Sequence, residues 1–155
     1  MGPVIADASV LIALSNIGQL DLLQWLFGEL LVPPAVAREV TARAMLPPWV
    51  RTQALDRPLD FRVGEAQLDD GESEAISLAL ELGAGRLILD DRPARRLAKA
   101  LGLPVVGTAG LILLARRKEL IPAVRPVLDA LRAWGFRLSD EVYEELLAAA
   151  GESVE

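Results

Sequence analysis

The chain contains no cysteine and no histidine. The first absence excludes disulfides and thiolate chemistry, and the two together remove imidazole bases and the usual zinc ligands. Any catalysis therefore runs on carboxylates, hydroxyls, lysine, arginine or tyrosine, donors that suit hard cations such as Mg²⁺ or Mn²⁺. Aromatics are scarce: Trp25, Phe27, Trp49, Phe61, Trp134, Phe136 and Tyr143 complete the set. They do not interleave with basic residues, so base stacking on the protein is not expected, and any RNA would be read by shape and backbone. Trp49, in "MLPPWV", is the candidate exposed aromatic for a partner; core positions are expected for the rest. No apolar run approaches the roughly 18 residues of a membrane span, and the N-terminus carries neither the basic start nor the cleavage site of a secretory signal. A cytoplasmic protein is the expectation.

What is present suffices for one core: 155 residues, 52% of them hydrophobic. Basic residues number 16 against 22 acidic, a net charge of −6 that argues at first against a phosphate-rich partner. Yet Asp140, Glu141, Glu144, Glu145, Glu152 and Glu155 all follow Ser139 with no base among them. The body is neutral and the tail acidic. Residues 1–138 read as the domain, and 139–155 as an acidic C-terminal helix and tail packed on it.

The hydrophobic pattern alternates short apolar runs with helical periodicity. "PVIADAS", "ELLVPP", "RLILDD" and "PVVGTAG" read as strands. A helical stretch from Val10 to Phe27 breaks near Asn16-Ile17-Gly18, and "PPAVAREVTARA" places Val36, Val40 and Ala44 on one helix face. The proline-rich segment from Leu46 to Val63 reads as loop and short helix, with a strand at "LDFRV". "LDDGESEAISLALELGAG" has an acidic start, an apolar face at Ile76, Ala79 and Leu80, and a glycine stop. Helices follow at "RPARRLAKALGL", "GLILLARRKELI", 122–134 and 139–149. Strands alternating with helices predict an α/β fold with a mainly parallel sheet, whose functional groups gather at the carboxyl ends of the strands.

Asp7 is the one ionisable residue in "VIADASVLIAL". A carboxylate leaving water costs several kcal/mol unless something receives it, so Asp7 needs a partner. Glu39, Glu72 with Glu74, and Asp90-Asp91 also fall at strand ends or on helices that could converge on it. Each alone has a structural reading: Asp7, Asp90 or Asp91 as a helix cap, Glu39 as a solvated helix residue, the acids of "DDGESE" as complements to a helix dipole. Two carboxylates about 4 Å apart repel by about 1 kcal/mol in water and roughly 4 kcal/mol at an effective dielectric near 20. A divalent cation converts that repulsion into coordination, which makes a metal the candidate partner of Asp7.

These segments, with "PPAVAREV", "GLPVVGTAGLILLARRKELIP" and the ending "FRLSDEVYEELLAAAGE", resemble a PIN domain of the VapC-like branch, the DUF3368 type, over nearly the whole chain. The resemblance implies a Rossmann-like three-layer α/β/α sandwich and a Mg²⁺- or Mn²⁺-dependent ribonuclease, often the toxin of a toxin–antitoxin pair. It places the family's acids on Asp7, Glu39, Glu72 (with Glu74 as the alternative) and Asp91 with Asp90 beside it, and a neighbouring hydroxyl on Ser9. The sequence departs from the family pattern at Leu89, where a threonine is usual, and in having Glu rather than Asp at the third acid. Arg92, Arg95 or Arg96, and Lys99 recur at helical spacing after the acidic pair and form a candidate RNA-binding stripe. Arg116-Arg117-Lys118 is a second basic cluster. Surplus apolar residues in the first helices point to a homodimer or partner interface, and the resemblance adds an antitoxin covering the acidic cleft.

Overall fold

The computed structural model describes residues 2–153. The chain begins with β1 (Val4–Ala6), α1 (Ala8–Asn16), α2 (Asp21–Phe27), β2 (Leu30–Val32) and α3 (Pro34–Thr41). It continues through β3 (Val50–Thr52), α4 (Phe61–Glu65), α5 (Asp70–Leu82), β4 (Arg86–Ile88) and α6 (Arg92–Ala100). It closes with β5 (Val105–Val106), α7 (Thr108–Arg117), α8 (Arg125–Ala133) and α9 (Asp140–Ala149). The five strands form one parallel sheet in the order β3-β2-β1-β4-β5, with Ile5 facing Leu31 on one side and Leu87 on the other. Helices cover both faces, giving a three-layer α/β/α sandwich.

Strand alternation divides the core in two. Ala6, Leu30, Val32 and Ile88 point into the layer built with α1, α2, α7 and α8, whereas Ile5, Leu87 and Leu89 point into the layer built with α5 and α6. The strands are short, and β1, β2, β4 and β5 are mostly apolar because both of their faces are covered, whereas β3 at the sheet edge leaves Arg51 and Thr52 exposed. The strand order reverses at β1: the chain runs outward through β2 and β3, then returns to lay β4 against the other side of β1. The carboxyl ends of β1 and β4 therefore border the crevice at the switch point, where Asp7 and Asp90-Asp91 emerge.

One expectation for the proline-rich segment is corrected. "LDFRV" is not a strand: Asp60 accepts the Arg62 N–H and starts α4, so Phe61 lies in a helix. The strand in this region is β3, which pairs with β2 at Leu30–Val50, Leu31–Arg51 and Val32–Thr52. The acidic ending is bound into the molecule. Leu147 is buried in the core, Tyr143 donates to Asp129, and Glu152 accepts the N–H groups of Val124 and Arg125 at the start of α8. α5 stops at Gly83, whose left-handed backbone (φ 64°, ψ 54°) suits a residue without a Cβ.

The aromatics also depart from expectation. Trp49 is half-buried against the core, whereas Trp25, Phe61 and Trp134 are exposed. Their neighbours gave no sign of this, since exposure depends on which helix ends the fold leaves uncovered.

Candidate active site

β1 carries Asp7 to the sheet's carboxyl edge, where it takes the N-cap position of α1 with an extended backbone. Its side chain makes no capping hydrogen bond of the usual kind. The carboxylate is 5% exposed, and Ser9 Oγ donates to its Oδ2 at 3.5 Å, the outer limit of a hydrogen bond. No lysine or arginine stands within salt-bridge distance of it among the described residues. Burial pushes the carboxyl up to about 7. The backbone N–H of Ala8 pulls the other way, and the charges of Asp69, Glu39 and Asp90 push it further up. Asp7 is thus a buried acid surrounded by acids.

Glu39 reaches the same place from α3. A Cβ built on Gly71, in the first turn of α5, would stand 3.4 Å from Asp7 Oδ1 and 3.4 Å from Glu39 Oε2. The missing side chain at Gly71 leaves the space between two carboxylates open. Glu39 and Gly71 also line a cleft of about 430 Å³, together with Ala35, Arg38, Asp69 and Asp70.

Glu72 and Asp69 form a reciprocal cap at the start of α5: Glu72 N–H donates to Asp69 Oδ1 at 2.7 Å, and Asp69 N–H donates to Glu72 Oε1 at 3.3 Å. Burial raises Glu72 to about 7, aided by the charges of Asp69, Asp91 and Asp7, with the Asp69 N–H acting against them. Asp69 is the acid that reading the sequence missed. Its signal was present, an Asp with a Glu three residues on at a helix start. Glu74, by contrast, points elsewhere. It accepts the Ala35 N–H at 3.0 Å and lines a separate hollow with Pro34, Leu55 and Leu59, so it ties α5 to the start of α3.

The adjacent aspartates after β4 divide their tasks. Both oxygens of Asp90 are engaged by Thr108, whose N–H donates to Oδ1 at 2.8 Å and whose Oγ1 donates to Oδ2 at 2.6 Å. Asp90 therefore fixes the start of α7, with each of its oxygens accepting one hydrogen bond. Asp91 caps α6, with Oδ2 accepting the Ala94 N–H at 3.1 Å, and its charge reaches Glu72. Its other oxygen makes no hydrogen bond among the described residues. Arg95 Nη1 donates to Leu89 O at 2.9 Å and sits where a Cβ at Gly107 would clash, so it braces the β4 end. Arg92, Arg96 and Lys99 remain exposed on one face of α6.

The structure thus gathers Asp7, Glu39, Asp69, Glu72 and Asp91 around the mouth of the sheet and leaves Glu74 outside. The donors are all hard oxygens and none is neutralised by a base, which fits a hard divalent cation. Among the described residues no three acids already stand close enough to form a cage for a metal.

The family model DUF3368, a PIN domain, matches residues 3–152. The chain belongs to the PIN-domain family. PIN domains are in general nucleases, so nuclease-type chemistry on a nucleic acid is the coarse function of this one. No curated protein matches the chain. Among solved structures, this PIN domain is similar to a PilT N-terminus domain protein from the hyperthermophilic archaeon Sulfolobus solfataricus P2, at 20% identity over 70% of this chain and 88% of that one, with a TM-score of 0.45. So distant a likeness carries nothing about activity. Among the described residues, no helix of this PIN domain is long and apolar enough to cross a membrane.

Proposed function

We propose that this PIN domain is a Mg²⁺- or Mn²⁺-dependent endoribonuclease, with Asp7, Glu39, Glu72 and Asp91 holding one or two cations and Asp69 joining them. The observation that carries the reading is Asp7: a carboxyl 5% exposed, with no cationic partner among the described residues, and pressed upon by three other acids. Such an arrangement is unfavourable in an isolated fold and favourable around a cation. When bound, the cation supplies charge neutralisation at the scissile phosphate and lowers the pKa of a coordinated water. The chain's own residues do the rest. Ser9 orients the Asp7 carboxylate, the reciprocal cap with Asp69 holds Glu72, and the α6 start holds Asp91. Thr108 and Arg95 stiffen the end of β4 from behind. Arg92, Arg96 and Lys99 offer the incoming phosphates a cationic edge that offsets the acidity of the cleft.

The same reading makes the chain the toxin of a toxin–antitoxin pair, cytoplasmic, homodimeric through its first apolar helices, and covered in its resting state by an antitoxin. The test is cleavage of single-stranded and structured RNA by metal-depleted protein with and without Mn²⁺. Mn²⁺-dependent cutting that Asp7→Asn abolishes supports the proposal; equal cutting by that variant overturns it. Expression of the chain should also arrest growth, and Asp7→Asn should relieve the arrest.

A second reading is a PIN-like module that binds nucleic acid or protein with little or no turnover. It draws on the spread of the acids, which do not converge three at a time among the described residues. Saturable Mn²⁺ binding without cleavage of any RNA would favour it.

A further inference from the structure

Outside the acidic cleft, a groove of about 260 Å³ lies between α1, α3 and the turn after α8, and Ser9, Asn16, Glu39, Arg43, Trp134 and Phe136 converge on it. We propose that this groove is a nucleotide subsite, in which one unpaired RNA base stacks on the indole of Trp134 beside the phosphate presented to the carboxylates. The proposal rests on the ribonuclease reading above and adds to it where the substrate's base is held.

Continuity is the first argument. Glu39 lines both this groove and the acidic cleft, and Ser9, at its other wall, donates to Asp7. A nucleotide whose phosphate meets Asp7 and Glu39 has its base within reach of the groove. The volume lies just under the range of about 300 to 1,000 Å³ typical of drug-sized ligands, the right order for one base and its sugar.

The lining is the second. α8 ends at Trp134, and Gly135, with φ 93°, turns the chain so that Phe136 packs against the core while Trp134 stays 64% exposed. Phe136 supplies a fixed floor and Trp134 an open aromatic face. Asn16, in the last turn of α1, makes no side-chain hydrogen bond among the described residues, so its amide is free to donate to and accept from a base edge. Arg43 stands four residues after Glu39, with no carboxylate within salt-bridge distance among the described residues, and offers an uncommitted cation to a flanking phosphate. An apolar helix laid here by a protein partner would bury that amide and guanidinium unpaired.

The experiment uses the full chain carrying Asp7→Asn, so that RNA is bound and not cut, with Mn²⁺ and a six-nucleotide single-stranded RNA, followed by tryptophan fluorescence. Binding should quench the emission, and adding Trp134→Ala should weaken affinity about tenfold, in the range of one lost base stack. Trp25→Ala removes a comparably exposed indole outside the groove and should leave affinity unchanged. An oligonucleotide of abasic residues should bind the Trp134→Ala and Trp134 chains alike. Equal affinity of the two chains for the ordinary RNA overturns the subsite, while metal-dependent cleavage by the unmutated chain keeps the nuclease reading. A dimer that becomes monomeric on Trp134→Ala, with RNA affinity unaltered, identifies the groove as a contact between copies and also overturns it. If the unmutated chain neither binds nor cuts RNA, the ribonuclease reading falls and the subsite with it.

Discussion

Asp90 and Thr108 are joined by two hydrogen bonds, one from the backbone and one from the hydroxyl, at 2.8 and 2.6 Å. This pairing separates two neighbouring aspartates that the sequence presents as equivalents. Thr108 is fully buried, so Thr108→Val removes one donor without opening a cavity and should destabilise the fold by about 1 to 3 kcal/mol. Asp91→Asn should behave oppositely, because asparagine caps a helix about as well as aspartate. Denaturant melts of both, run beside cleavage assays, separate the roles: a stability loss confined to Thr108→Val and an activity loss confined to Asp91→Asn is the expected pattern.

Asp7→Asn should raise the stability of the metal-free protein at pH 8 while lowering activity by more than the roughly 10- to 100-fold associated with outer partners of metal ligands. The amide keeps the shape and removes a charge that is both buried and repelled. A variant that melts below the parent in the presence of a chelator at pH 8 would contradict this account of Asp7.

Gly71→Ala should also divide stability from function. In the first turn of α5, alanine gains up to about 1 kcal/mol of helix propensity over glycine. Its methyl group, however, would stand 3.4 Å from both Asp7 Oδ1 and Glu39 Oε2, in the space a cation would use. Thermal melts and Mn²⁺ titration of this variant should therefore move in opposite directions: a higher melting temperature and weaker binding.

The pH dependence follows from the two raised acids. Asp7 rises from 3.8 and Glu72 from 4.5, both to about 7, so between roughly pH 4 and 7 the folded chain holds more protons than the unfolded one. Stability is then greatest below about pH 4 as far as these two groups are concerned. It falls as pH rises through the folded values near 7, and is level above them. Mn²⁺ binds the ionised forms, so its stabilising shift should be larger at pH 8 than at pH 5.5, as calorimetry at the two pH values can measure. An equal shift at both would remove Asp7 and Glu72 from the site.

Glu74→Gln serves as the counterpart to these substitutions. It weakens the acceptor for Ala35 N–H without touching the cleft, so a modest loss of stability with unchanged metal affinity is expected. A loss of Mn²⁺ binding would return Glu74 to the site.

The sequence by itself determined β1, β2, β4 and β5 and the helices around them, because these buried parallel strands are apolar runs and the helices keep their period and caps; β3, with Arg51 and Thr52 exposed, carries no such run. It also determined the chemistry available, since a chain without cysteine or histidine has only oxygen donors to offer a metal. It made Asp7 conspicuous, one charge in an apolar run. Tertiary structure alone decided which acids share the cleft. Asp90 and Asp91, or Glu72 and Glu74, are near neighbours in sequence, yet each side chain's direction depends on what lies opposite it: Thr108 for Asp90, Ala35 for Glu74. The position of Trp134 beside Glu39 was likewise invisible in the sequence, because residues far apart along the chain meet only when α8 is laid against α1.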